Sequence, residues 1–79
     1  MPENLEGPEP MYRQIAERIA AQIEDGAYPS NSRLPSESEL CERFGVSRRT
    51  VRDAYAILLE RELVVTSPGK GTYVKRHDS

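Results

Sequence analysis

The chain has 79 residues, of which 37% are hydrophobic and 30% are charged. A chain of this length allows one small domain with an economical core. Its composition is too apolar for a disordered segment and too polar for a membrane span. The single cysteine, Cys41, excludes a disulfide framework and a multi-cysteine zinc site. We therefore expect a folded, soluble domain without a metal or a cofactor.

Neither enzymatic activity nor export is predicted. A catalytic pocket needs more chain than a domain of this size can spare, and His77 stands among polar residues without partners for a catalytic or metal site. Glutamates occupy the N-terminal region where a secretory signal has basic residues and then an apolar stretch. The predicted location is the cytoplasm, with no membrane contact and no small-molecule ligand in this domain.

The formal net charge of −2 conceals a gradient along the chain. Residues 1–44 hold four basic and nine acidic residues, whereas residues 45–79 hold seven basic and four acidic ones, a net charge of +3. Over a Debye length of about 10 Å, local charge matters more than total charge. The acidic total therefore does not exclude a polyanionic partner for the C-terminal half.

The N-terminal third predicts a lead followed by one helix. Residues 1–9 are rich in proline and glutamate, and we expect them to form a disordered acidic lead. From Tyr12 the apolar residues recur at the three- and four-residue spacing of an amphipathic helix, predicted from residue 10 or 11 to Asp25. Gly26 stands where a left-handed residue commonly ends a helix.

Two further helices are predicted on either side of a tight turn at Gly45. Ser36 with Glu39 three residues later is typical of a capping box, which places the start of a short helix at Glu37. Ser47 is the N-cap candidate for the third helix, whose apolar positions again keep helical spacing as far as residue 58.

The pattern then changes to two short β-prone runs, residues 63–66 and 72–74, around a Gly-rich tip. The tail at residues 76–79 is predicted to fray. The expected fold class is mainly α with a small β-hairpin: residues 10–75 form a winged helix-turn-helix of three helices and a two-stranded antiparallel wing. Such folds can place one helix in the major groove of DNA while a loop contacts the backbone nearby.

The first turns of the third helix carry three arginines. Arg48 and Arg52 are four residues apart and share a face, and Arg49 lies about 100° round the helix from Arg48. Arginine is the commonest bidentate reader of guanine in the major groove, whereas the hydroxyls of Ser47 and Thr50 can contact phosphate oxygens. An arginine-rich face is usually only solvated surface, but positive charges in a first helical turn favour a bound anion.

A second basic element strengthens the nucleic acid interpretation. Lys70 stands between Gly69 and Gly71 at the predicted wing tip, where it can enter a minor groove or bind a phosphate. The two glycines are equally consistent with ordinary turn chemistry. Arg33 is a further candidate for a phosphate contact; Ser36 is first a helix cap, although the amides next to it could also bind a phosphate.

Four stretches of the chain resemble the N-terminal winged helix-turn-helix of GntR-type bacterial transcription regulators. The resemblance covers about residues 10–75 and implies binding of double-stranded operator DNA as a homodimer, formed through a domain missing from this chain and acting in the bacterial nucleoid. It also implies that the third helix lies in the major groove, with Arg48 and Arg52 on bases or phosphates and Gly69 near the minor groove. The four stretches are Tyr12-Arg13-Gln14-Ile15, Arg33-Leu34-Pro35-Ser36-Glu37-Ser38-Glu39-Leu40, Gly45-Val46-Ser47-Arg48-Arg49-Thr50-Val51-Arg52 and Gly69-Lys70-Gly71-Thr72-Tyr73-Val74.

Two positions depart from the pattern of this family. Ser38 stands where members usually carry an arginine that joins the DNA contacts, and Glu62 stands where glycine is usual. If residue 62 has a left-handed backbone, Glu there carries a strain of about 1 kcal/mol. One alternative function stays open, a protein interaction module that reuses the winged-helix shape without DNA readout and docks through the acidic surface of the first two helices.

Overall fold

The computed structural model describes residue 5 and residues 7–75, which form three helices followed by a two-stranded antiparallel sheet. The helices are α1 (Met11–Glu24), α2 (Glu37–Phe44) and α3 (Arg48–Glu60), and the strands are β1 (Val64–Ser67) and β2 (Gly71–Val74). The predicted fold class is therefore confirmed, with helix bounds within one or two residues of those expected. The predicted frayed tail with His77, and residues 1–4 and 6 of the predicted lead, lie outside the described residues.

The core lies between α1 and α3 and is closed by α2 and the sheet. Ile15 and Ile19 of α1 and Val51 and Leu58 of α3 are fully buried, as the helical spacing predicts. Leu40 of α2 is equally inaccessible to solvent. Replacing one such side chain with alanine typically costs about 2–5 kcal/mol, so these apolar faces fix how the helices lie on one another.

Side-chain caps define where α2 and α3 begin. The Ser36 hydroxyl accepts a hydrogen bond from the Glu39 amide at 3.1 Å, and the Ser47 hydroxyl accepts one from the Thr50 amide at 3.2 Å. Between them Gly45 has a φ of 66°, a conformation that glycine adopts without strain. The helix-turn-helix predicted from the capping pattern is thus the arrangement observed.

The sheet gains a third segment that the sequence did not predict. Strand β2 pairs with β1 in the register Val64 to Val74 and Ser67 to Gly71. On its other side, the Leu34 amide donates to the Thr72 carbonyl at 2.8 Å, and an isolated antiparallel bridge joins residues 33 and 73. The segment before α2 is therefore attached to the wing by backbone hydrogen bonds.

Part of the predicted lead contacts the domain. Leu5 is partly buried against the core, and the Glu9 carbonyl accepts a hydrogen bond from Gln14 Nε2 of α1 at 2.8 Å. Disorder of the lead as a whole stays a prediction, because five of its nine residues lie outside the described part of the chain.

Candidate nucleic-acid interface

The N-terminal turns of α3 present basic and hydroxyl side chains to solvent. The side chains of Arg49 and Arg52 are 85% and 61% exposed, and Arg48 is also exposed. Ser47 Oγ and Thr50 Oγ1 lie 3.1 Å apart beside the first free amides of the helix. Because the inward positions of α3 are apolar, its cap and its arginines are left together on the open side of the domain.

Each of these arginines has a partner within the domain. Arg48 Nη2 donates to Ser38 Oγ at 2.9 Å, and Arg52 Nε donates to Glu37 Oε2 at 3.0 Å. Arg49 Nε instead contacts Asp53 of its own helix at 3.3 Å. The first turn of α2 thus holds two of the three guanidinium groups, whereas the partner of the third within residues 5 and 7–75 belongs to its own helix.

The wing tip is a tight turn at Ser67–Lys70. The Lys70 amide donates to the Ser67 carbonyl at 3.0 Å, Pro68 occupies the second position, and Gly69 has a φ of 77°. Proline followed by a residue with positive φ is typical of a type II turn. A Cβ added to Gly69 would meet no atom within 4 Å, so this glycine is required by the backbone conformation and leaves the tip open to solvent.

Arg33 is held against the base of the wing. A Cβ added to Gly71 would lie 3.1 Å from Arg33 Nε, and Gly71 has a φ of 125°. The guanidinium group therefore lies over the glycine backbone, next to the bridge between residues 33 and 73. Gly71 is therefore needed both for its positive φ and for the close approach of Arg33, whereas Gly69 is needed for its positive φ alone.

A groove of about 430 Å³ separates the wing from the segment that leads into α2. The predicted residues Arg33, Ser36 and Lys70 line it, together with Glu37. Glu37 also binds Arg52 of α3, so the groove and the arginine face of α3 adjoin. The exposed turn of α3 and the wing accordingly lie on one continuous surface.

A buried tyrosine secures the floor of this groove. Tyr55 of α3 is 7% exposed, and its hydroxyl donates a hydrogen bond to the Pro35 carbonyl. Burial raises the pKa of the Tyr55 phenol well above its usual value, with smaller contributions from neighbouring acidic groups. The hydroxyl therefore stays protonated and keeps donating, which ties α3 to the start of α2.

Sequence reasoning did not find Glu37 and Tyr55 as contributors to this surface. The apolar spacing of α3 puts Tyr55 on the buried face, but the spacing gives no partner for its hydroxyl. The capping pattern identifies Glu37 only as the first residue of α2, and its partner Arg52 is 15 residues away. The i, i+4 spacing of Arg49 and Asp53, in contrast, is a signal from which their ion pair could have been predicted.

Among the described residues there is neither a metal-ligand cluster nor a membrane-spanning helix. No group of three or more His, Cys, Asp or Glu side chains in residues 5 and 7–75 is arranged to hold a metal ion. Within the same residues no helix has both the length and the apolar character needed to cross a bilayer.

The family model for bacterial regulatory proteins, gntR family, matches residues 11–74 of the chain. The chain belongs to this family. Its winged helix-turn-helix is the DNA-binding domain of GntR-family transcription regulators, as the resemblance of the four sequence stretches predicts.

Curated GntR-family relatives are much longer than this chain. The mannosyl-D-glycerate transport/metabolism system repressor of Escherichia coli K12 is 49% identical over 69 residues, which cover 87% of this chain and 29% of the relative. The transcriptional repressor NagR of Bacillus subtilis is 41% identical over 73 residues, which cover 92% of this chain and 30% of the relative. The chain thus spans less than a third of the length of these two relatives.

A solved GntR-type domain shares the same shape. The AraR DNA-binding domain in complex with operator ORX1 superposes with a TM-score of 0.84 at 36% sequence identity, covering 90% of this chain and 92% of that one. A domain of this shape has therefore been observed in complex with operator DNA.

Proposed function

We propose that this chain binds double-stranded operator DNA in a sequence-dependent manner, with α3 in the major groove and the wing on the adjacent minor groove. One observation carries the proposal: the exposed arginine face of α3 and the Lys70 wing adjoin through Glu37, which binds Arg52 and lines the wing groove. A helix end and a loop placed side by side match the way in which winged helix-turn-helix domains meet a duplex.

The roles of the residues follow from their positions. Arg48, Arg49 and Arg52 are the recognition candidates, because guanidinium groups read guanine O6 and N7 in the major groove. Ser47, Thr50, Arg33 and Lys70 are the backbone contacts. Ser36 adds amides at the start of α2, and Gly69 and Gly71 let the wing backbone come close to the duplex.

Function in the cell would need two copies of the domain. A domain with about four phosphate contacts has a salt slope of about −3 to −4 and binds weakly at physiological ionic strength. We propose a two-fold homodimer, joined by polypeptide outside this chain, which raises affinity through effective concentration. Repression of transcription in the bacterial cytoplasm is the matching role for the whole regulator, since relatives such as NagR are named as repressors.

Selection from random duplexes tests the proposal. The wild-type chain is used to select a preferred duplex at low salt, and its affinity for that duplex is compared with its affinity for a shuffled duplex over a salt series. We expect Arg48→Ala with Arg52→Ala to lower affinity for the selected duplex at least about tenfold, and Lys70→Ala to weaken both duplexes while reducing the salt slope by about 1.

Arg61→Ala is the matched control. Arg61 lies just after the opposite end of α3 and, like Arg52, is paired with a glutamate of another helix, Glu17 at 2.5 Å. Its removal should leave sequence preference unchanged. Binding that is insensitive to salt and to the arginine substitutions would contradict the proposal and favour the protein interaction module, which the operator complexes of similar domains do not favour.

A further inference from the structure

Two consecutive residues at the start of α2 each hold one arginine of α3. Glu37 accepts from Arg52 Nε at 3.0 Å, and Ser38 accepts from Arg48 Nη2 at 2.9 Å. We propose that Glu37 and Ser38 are positioning residues, which fix the directions of the two guanidinium groups and thereby set how strongly the domain discriminates between base pairs. This inference rests on the proposed DNA-binding function.

The bonds leave the arginines able to read a base. A guanidinium group has five N–H donors in a rigid fork, and Arg52 uses only its Nε toward Glu37. Both of its Nη groups stay available for the two acceptors of a guanine. A guanidinium group held from one side cannot turn to accommodate a different base. Because specificity is the difference between the affinities for the preferred and the other sequence, fixing the guanidinium group should increase it.

The negative charge of Glu37 makes it possible to separate its effect on the direction of Arg52 from its effect on the electrostatic affinity for DNA. Its side chain is 33% exposed and lines the same groove as Lys70, so its charge repels an approaching phosphate backbone. Removing this charge should therefore strengthen binding to any duplex while it weakens discrimination. A residue that served only to stabilise the fold would not change these two quantities in opposite directions.

Ser38 supplies the same test without a change in charge. Ser38→Ala removes the acceptor for Arg48, and Ser38→Thr keeps a hydroxyl at the same position. Discrimination should fall in the alanine variant and return in the threonine variant. Affinity for a shuffled duplex should stay the same in both, because no charge is gained or lost.

The experiment measures affinities of the 79-residue chain for the selected duplex and for a shuffled duplex of equal composition. We expect Glu37→Gln to raise affinity for the shuffled duplex and to lower the ratio of the two affinities about two- to fivefold, the range that exposed ion pairs give. In an Arg52→Ala background the same substitution should leave the ratio unchanged, because a positioning residue acts only through the side chain that it holds.

Glu17→Gln is the matched control for charge, since it breaks the pair between α1 and Arg61 and removes one negative charge without touching the arginine face. It should preserve the ratio. The inference is overturned if Glu37→Gln also preserves the ratio of the two affinities. It is equally overturned if Glu37→Gln lowers the ratio by the same factor in the Arg52→Ala background, because that result would indicate a direct contact of Glu37 with cytosine. A wild-type chain that selects no sequence would instead refute the proposed function itself.

Discussion

Glu62 has a left-handed backbone at the end of α3, and replacing it with glycine should stabilise the domain. Its φ is 60°. The Glu62 amide donates to the Leu59 carbonyl at 3.0 Å, and the Leu63 amide donates to the Leu58 carbonyl at 3.0 Å. This pair of bonds is the Schellman motif, in which glycine usually takes the left-handed position. The strain predicted for a left-handed Glu62 is therefore present.

The size of the gain follows from three contributions. Removing the side chain from a left-handed residue should raise the free energy of unfolding by about 1–2 kcal/mol. The greater conformational freedom of glycine in the unfolded chain should lower it by about 0.4–1 kcal/mol. The ion pair between Glu62 and Lys75, at 3.2 Å with side chains 78% and 42% exposed, contributes an amount near the low end of the range of about 0.2–1 kcal/mol for exposed pairs. We expect a net gain of about 0.5 kcal/mol, which raises the Tm by about 2–4 °C in a domain of this size.

Two control substitutions isolate the backbone effect, with unfolding by urea as the measurement. Glu60→Gly introduces the same change two positions earlier, within α3, where it should cost about 0.5–1 kcal/mol. Glu62→Gln removes the charge and the ion pair but keeps a side chain on the strained backbone. If Glu62→Gly proves no more stable than Glu62→Gln, relief of backbone strain does not explain this site.

Two further predictions concern the groove and the wing. Tyr55→Phe should lower the free energy of unfolding by about 1 kcal/mol, because it removes the hydrogen bond to the Pro35 carbonyl. Burial raises the pKa of Tyr55 in the folded state, so the stability of the wild-type domain should decline as the pH rises above about 10. Urea unfolding over a pH series should show a smaller decline for the phenylalanine variant. Gly71→Ala should lower the Tm more than Gly69→Ala, because only the first substitution also drives a Cβ against Arg33; equal Tm values in thermal unfolding would contradict this.

The helices were predictable because their signals are local. Ser36 and Ser47 cap α2 and α3 through amides three residues ahead, so both the cap and its partner can be read from one short stretch of sequence. The left-handed turns at Gly45 and Gly26 follow from the freedom of glycine at positive φ. The recognition candidates on α3 follow from the same helical spacing, since the inward positions are apolar.

The parts that were missed depend on contacts between distant segments. Residues 31–34 pair with β2 although Asn31-Ser32-Arg33-Leu34 lacks the alternating pattern of a strand, and Asn31 itself has a φ of 68°. The partnership of Glu37 and Arg52 depends on how α2 crosses α3, which spacing within either helix does not determine. Local patterns therefore locate the candidate recognition side chains, whereas the crossing of the helices decides which residues hold them.

The different anchoring of the three arginines suggests how the proposed interface divides its work. Among the described residues, Arg49 is 85% exposed and is paired with Asp53 on its own helix, an interaction weak enough to be exchanged for a base edge or a phosphate at little cost. Arg48 and Arg52 are instead held by a second helix, so their directions are set before a duplex arrives. Base contacts specify a sequence, whereas phosphate contacts position the domain without reading it. In the proposed interface, the fixed directions of Arg48 and Arg52 therefore favour these two side chains as the readers of base edges.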